Sequence, residues 1–132
     1  VVVGVGVDLI EIERIKQALD DARTGRRLAR RVYTTREIEY CERKNQGKYQ
    51  SYAGRFAAKE AVMKALGRGW GKTLNWLEIE ILPAIGGRPA VRLSGGASSL
   101  AERLGVERWA LSITHTAGYA MAYVIAEREE KN

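Results

Sequence analysis

Two carboxylates in this sequence stand where they can do more than solvate a surface. Asp8 closes the apolar run VVVGVGV, and Glu60 lies inside RFAAKEAVMKAL. Gly4, Gly6 and Asp8 share one parity of an extended segment and the valines take the other, so Asp8 ends a small, open face. A ligand or another backbone can approach such a face. An aspartate there either caps the helix that follows or ligates a metal beside the glycines. In the second segment, helical spacing puts Phe56, Glu60 and Lys64 one turn apart on one stripe, with Arg55, Lys59 and Met63 on the next. Read plainly, Glu60 and Lys64 are a solvated i, i+4 ion pair worth about 0.3–0.5 kcal/mol. Phe56 and Ala57, however, draw Glu60 toward the apolar face, where a carboxylate is costly unless it meets a cation. Mg²⁺ commonly takes one or two protein carboxylates and completes its shell with water and substrate phosphates, so Asp8 with Glu60 suffice.

His115 is the single histidine. It shares strand parity with Leu111 and Ile113, as a satisfied histidine at a core edge does. It also stands among Ser112, Thr114, Thr116 and Gly118, a hydroxyl-rich turn suited to a phosphate. Both readings stand. Arg23, Arg26, Arg27, Arg30 and Arg31 form either a solvated basic face or a patch for phosphate or an acidic protein. Leu28 and Val32 add apolar contact, and Tyr33 is the nearest aromatic, so an acidic helix fits the patch better than stacked bases do. Two nucleotide signatures fail. Gly71-Lys72-Thr73 imitates the end of a P-loop, but Leu66 stands where the first glycine is needed, between a helix and a strand in the wrong order. Gly4-Val5-Gly6 has Leu9 where a dinucleotide fingerprint needs its third glycine.

The elements that must hold these residues follow from the hydrophobic periods. The valine run is a strand. From Leu9 onward Ile12, Ile15 and Leu19 recur at helical spacing until the chain breaks near 20–25. RTGRRLARRVY is a basic helical turn or loop, and Thr34-Thr35-Arg36-Glu37 has the form of a capping box opening a helix to about residue 43. Asn45-Gln46-Gly47 ends it, and a longer central helix runs over about 51–66 with Gly67 as its stop. After the loop GRGWGKTLN, LEIEIL alternates as a half-buried strand ended by Pro83, and Gly86-Gly87 turns the chain into the strand AVRLS. A short helix over about 96–104 stops at Gly105. WALSITH and YAMAYVIA then form an antiparallel hairpin across THTAG, and the charged tail EREEKN frays. The order favours an α+β single domain over 1–132, an antiparallel sheet packed around a long central helix, rather than a doubly wound sheet.

At 132 residues the chain is of ordinary single-domain size and buries roughly two thirds of its extended surface, so no staples are needed. Its one cysteine, Cys41, cannot pair within the chain, and with one histidine it cannot make an all-Cys/His zinc site, which fits a reducing, cytoplasmic setting. The formal charge of +6 asks for an acidic partner or substrate. The opening segment is too short for a membrane span and lacks the basic lead of a signal peptide, so a soluble protein without membrane partners is expected.

Gly6-Val7-Asp8 with Arg14, the helix Arg55-Phe56-Ala57-Ala58-Lys59-Glu60-Ala61 through Lys64, and Ser112-Ile113-Thr114-His115-Thr116 together resemble the small-type 4′-phosphopantetheinyl transferases, the holo-[acyl-carrier-protein] synthase family. The likeness spans nearly the whole chain, in order. Departures are an opening Val in place of Met and an acidic tail running slightly past the last strand; neither touches a motif. The resemblance implies transfer of the phosphopantetheine arm of coenzyme A to a serine of apo-acyl carrier protein, with 3′,5′-ADP released, Mg²⁺ required, and a homotrimer holding active sites between subunits. It implies Asp8 and Glu60 as metal carboxylates, and Glu60 as the base, acting directly or through a metal-bound water. Lys64 would stabilise the leaving phosphate. Arg55, Lys64, Gly67, His115 and Thr116 would bind coenzyme A, and Arg14, Arg27 and Arg31 the carrier protein. The rival from another class is a non-enzymatic basic module for nucleic acid or an acidic surface, which leaves Asp8 and Glu60 unexplained.

Overall fold

A computed structural model describes residues 1–67 and 75–130; the Gly71-Lys72-Thr73 segment and the last two residues of the tail lie outside the described residues. The chain runs β1 (Val2–Glu11), α1 (Ile12–Asp20), α2 (Gly25–Val32), α3 (Thr35–Glu42), α4 (Lys48–Ala65), a 3-10 turn (Trp76–Glu78), β2 (Ile79–Pro83), β3 (Pro89–Leu93), α5 (Gly95–Leu104), β4 (Arg108–His115) and β5 (Tyr119–Glu127). The strands form an antiparallel sheet ordered β1-β5-β4 and a separate β2-β3 hairpin. This is the expected α+β arrangement, with α4 at its centre. The buried face of α4 supplies Ala57, Ala58, Ala61, Val62 and Met63 to one core, where they meet Ala122 and Val124 of β5 and Ile79 and Ile81 of β2. Tyr52 and Ala53, nearer its start, join Ile12, Ile15, Val32 and Tyr33 in a second.

Three local differences from the sequence reading have long-range causes. First, β1 does not stop at Asp8. Leu9, Ile10 and Glu11 stay extended by pairing with Met121, Ala120 and Tyr119, so the helix begins at Ile12 and Glu11 holds its N-cap position. Asp8 sits opposite Ala122 in mid-strand and is therefore no helix cap. Second, the glycine parity is not open. A β-carbon on Gly4 or Gly6 would overlap the carbonyl oxygens of Ala65 and Ala61, so the strand lies directly on the backbone of α4. Val5, Val7 and Leu9 are consequently left 52 %, 47 % and 59 % exposed on the outer face. Third, Leu77 leaves the alternating strand for the 3-10 turn. Asn75 Oδ1 accepts the Leu77 N–H at 3.0 Å and Glu78 returns a bond to the Asn75 N–H, which closes the backbone before β2 begins.

The described part of the tail, up to residue 130, is tied back to the loop before β4. The Glu129 N–H donates to Glu107 Oε1 at 2.7 Å. The capping box at α3 is present: Thr34 Oγ1 accepts the Glu37 N–H, and Glu37 Oε1 accepts the Thr34 N–H. Thr34 Oγ1 also donates to Glu80 Oε2 at 2.7 Å, which ties the helix start to β2. Thr34→Ala is expected to cost about 1–2 kcal/mol, from the lost cap and the lost Glu80 bond, read as a lowered denaturation midpoint with unchanged slope.

Candidate active site

Asp8 and Glu60 line one cleft of about 900 Å³ between β1, α2 and α4. Strand pairing fixes Asp8; the stripe of α4 that rises past Phe56 fixes Glu60. Phe56 stacks on Trp76 with ring centroids 5.1 Å apart, which makes one wall aromatic. Leu28 and Arg31 of α2 and Arg14 of α1 make the other. Arg27, on the same helix, lines a separate small depression beside Arg31 and Thr24. The basic face is thus divided: Arg14 and Arg31 border the carboxylates, and Arg27 does not.

Lys64 does not pair with Glu60, as i, i+4 spacing suggests. Its Nζ crosses to β1 and donates to Asp8 Oδ1 and to the Val7 carbonyl, both at 3.0 Å. Among the described residues Glu60 has no hydrogen-bond or ion-pair partner. Its carboxyl is pushed above the ordinary value of 4.5, first by burial and next by the charge of Asp8, with Lys64 opposing. Two half-buried carboxylates that repel one another are a natural seat for a divalent cation. Among the described residues no three Asp, Glu, His or Cys side chains cluster, so a complete all-protein cage is absent. The donor set suits Mg²⁺, which is commonly held by one or two carboxylates and substrate phosphates.

His115 and Arg55 meet elsewhere, in a second pocket of about 520 Å³ between α3, α4 and the end of β4. His115 continues the inward parity of Leu111 and Ile113, but it lies beyond the cover of α4 and is exposed, so it is no core histidine. Arg55 is 7 % exposed. Its Nη1 donates to Ser51 Oγ at 3.0 Å, its guanidinium lies 4.2 Å from the centre of the Tyr40 ring, and among the described residues its buried Nε has no partner. Lys44 also lies over Tyr40, and among the described residues no carboxylate lines the pocket. A buried guanidinium without an acidic partner, beside Lys44 and His115, is a site for an anion.

Thr116 is next to His115 in the turn, where its hydroxyl accepts the Tyr119 N–H at 3.3 Å, and it does not line that pocket. Gly67 sits just past the end of α4 with φ +75°, which is the stop expected for it, and it lines neither cavity. Within one chain, therefore, the carboxylate cleft and the cationic pocket are separate. Trp76, Tyr40 and Lys44 escaped the sequence reading. Tyr40 on α3 and Lys44, two residues past its end, are spaced i, i+4, which was a signal for the latter two; Trp76 carried none, because its place opposite Phe56 depends on the tertiary fold.

The family described as the 4′-phosphopantetheinyl transferase superfamily matches residues 4–124. The chain is 50 % identical over 120 residues to a holo-[acyl-carrier-protein] synthase of Ruminiclostridium cellulolyticum, covering 91 % of this chain and 88 % of that protein. It is 48 % identical to one from Solibacter usitatus, over 96 % of this chain and 98 % of the other. Among solved structures, the Neisseria meningitidis holo-[acyl-carrier-protein] synthase superposes with a TM-score of 0.86 at 28 % identity, covering 97 % of this chain and all of that one. The Helicobacter pylori enzyme in complex with coenzyme A superposes with a TM-score of 0.80 at 32 % identity, over 93 % and 99 % of the two chains.

Proposed function

The chain belongs to the 4′-phosphopantetheinyl transferase superfamily, and we propose from its relatives and its site together that it is a holo-[acyl-carrier-protein] synthase whose chemistry is done at Asp8 and Glu60. It transfers the phosphopantetheine arm of coenzyme A to a serine of apo-acyl carrier protein. The observation that carries this reading is the pair of mutually repelling carboxylates in an open cleft walled by arginines. The non-enzymatic module is set aside, because the relatives are enzymes and it leaves this pair without a role.

The serine hydroxyl attacks the phosphorus attached to the pantetheine arm, and the bond from that phosphorus to the bridging oxygen breaks, releasing 3′,5′-ADP. Glu60, its carboxyl pKa raised by burial and by Asp8 and its side chain without a protein hydrogen-bond partner among the described residues, takes the serine proton. Asp8 and Glu60 would hold Mg²⁺, which would supply neutralisation of charge on the diphosphate. Lys64 Nζ, already beside Asp8, holds the leaving phosphate. Arg55 and His115 bind the nucleotide end, with Thr116 and Gly67 flanking it. Arg14 and Arg31 receive the acidic surface of the carrier protein at the cleft, and Arg27 extends that contact.

The two half-sites are separate in one chain, which supports a homotrimer in which Asp8 and Glu60 of one protomer face Arg55 and His115 of the next. The exposed apolar strip of Val5, Val7, Leu9, Tyr119, Met121 and Tyr123 on the outer sheet supports the same assembly. Light scattering is the check: a mass three times 14.7 kDa is expected. The whole chain acts as one transferase unit. No described helix is long and apolar enough to cross a membrane. The fully buried Cys41 thiol fits work in the cytoplasm.

The deciding experiment is the intact mass of apo-acyl carrier protein after incubation with the protein, coenzyme A and Mg²⁺, with EDTA and Asp8→Ala as controls. A gain of one phosphopantetheine that both controls abolish is expected. No gain on several carrier proteins from a folded sample overturns the reading. Charge reversal tests the carrier surface: Arg14→Glu is expected to raise KM for the carrier about ten-fold, Arg27→Glu less, and neither to change KM for coenzyme A. Equal losses for both substrates would remove the arginines from the carrier face.

A further inference from the structure

Lys59 precedes Glu60 in the chain, on the neighbouring stripe of α4, yet it is 0 % exposed. Its Nζ lies 2.6 Å from Glu37 Oε1 and donates to the Val32 carbonyl at 2.7 Å and the Trp76 carbonyl at 3.1 Å. Three donors thus meet three acceptors, which uses the full capacity of an ammonium group. Glu37 is equally enclosed. Its oxygens accept the Thr34 and Ile81 N–H groups, both at 2.8 Å. Burial of this kind lowers the affinity of the amine for its proton, and Glu37 opposes that shift.

A buried ion pair is poor evidence for stability, since apolar replacement of both partners is often neutral. The carbonyl partners are more informative. Val32 is the last residue of α2, next to Arg31, and Trp76 is the aromatic wall stacked on Phe56. Both belong to segments that border the Glu60 cleft.

We propose that Lys59 is a positioning residue: its two carbonyl bonds fasten both walls of the cleft, at Val32 and Trp76, to the helix turn that presents Glu60. This rests on the transferase reading above. The working part is the pair of bonds to carbonyls, and Glu37 serves chiefly to make a buried amine affordable.

That division is testable because it separates activity from stability. In Glu37→Gln a neutral Lys59 amine can still donate two N–H bonds to the carbonyls and accept one from the new amide, so the tether survives while the Thr34 bond is weakened. In the double variant Lys59→Met/Glu37→Gln no buried charge remains, but the tether is gone. The double variant is expected to fold and to lose about 100-fold in kcat/KM for the carrier protein, through both kcat and KM, as a displaced site does. Its affinity for 3′,5′-ADP, held at Arg55, is expected to stay within about three-fold. Glu37→Gln is expected to be less stable than wild type yet keep activity within about three-fold. Amide exchange at 31–33 and 76–78 should rise in the double variant and not in Glu37→Gln, whereas exchange at Thr34, whose N–H is held by Glu37, should rise in both. Activity that follows thermal stability across the variants, or a double variant with wild-type kcat/KM and unchanged exchange, overturns the proposal. Should the double variant not fold, Glu37→Gln alone decides: an inactive, folded protein overturns it. Wild type inactive on every carrier would instead defeat the transferase reading, with the exchange comparison still deciding the tether.

Discussion

Glu60→Gln is expected to lower kcat/KM for phosphopantetheine transfer by at least about 1,000-fold, because one substitution removes both a proton acceptor and half of the metal carboxylates. The side chain contributes nothing to the core: it is half-buried, opens onto the cleft, and has no hydrogen-bond partner among the described residues. Its raised carboxyl pKa sets the sign for stability. The folded chain holds the Glu60 proton more tightly than the unfolded chain, so the ionised form disfavours folding. That cost is absent below 4.5, where both states are protonated, and sets in as pH rises through the raised folded value. At neutral pH without divalent ions, the glutamine variant is therefore expected to melt at or slightly above the wild-type temperature. Activity and calorimetry on one sample check both parts. A variant unfolded by circular dichroism would remove the chemical interpretation, and one with near-normal transfer would remove Glu60 from the site.

Gly6→Ala is expected to be the most destabilising single methyl addition in the sheet, costing at least about 3 kcal/mol or preventing folding altogether. The β-carbon would overlap the Ala61 carbonyl oxygen and crowd the carbon and Cα behind it, all of which belong to the backbone of α4. No rotamer change can relieve that contact. The strand must lift off the helix, and Asp8, two residues on, would lift with it away from Glu60. Gly118→Ala is the control: a β-carbon there meets nothing within 4 Å, so a change of less than about 0.5 kcal/mol is expected. Chemical denaturation of the two variants beside wild type gives the comparison. A folded Gly6→Ala protein of near wild-type stability would show that β1 and α4 are less closely apposed.

The order of elements, the Thr34 cap and the stripe of α4 were legible because they depend on neighbours within a turn or two. Glu60 was legible for the same reason: a carboxylate beside Phe56 and Ala57 on a mostly apolar helix is locally anomalous. Lys59 was not, since its period marks only a position adjacent to that stripe. Its full burial follows from Glu37, Val32 and Trp76 converging on it from three other parts of the chain.

Local periods in the sequence carried most of the helices and strands, composition carried the basic charge, and helical spacing set Glu60 and Lys64 on one stripe. Which groups Asp8, Lys64 and His115 meet came only from long-range packing. Pairing with β5 carries β1 past Asp8 and takes it out of a capping role. The α4 backbone fills the glycine face, leaves the valines outside and brings Lys64 to Asp8 rather than Glu60. The limit of the α4 cover sends His115 to Arg55 and away from the carboxylates. These outcomes share one cause. Strand pairing, backbone apposition and burial join residues distant in the chain, and no local period contains that information.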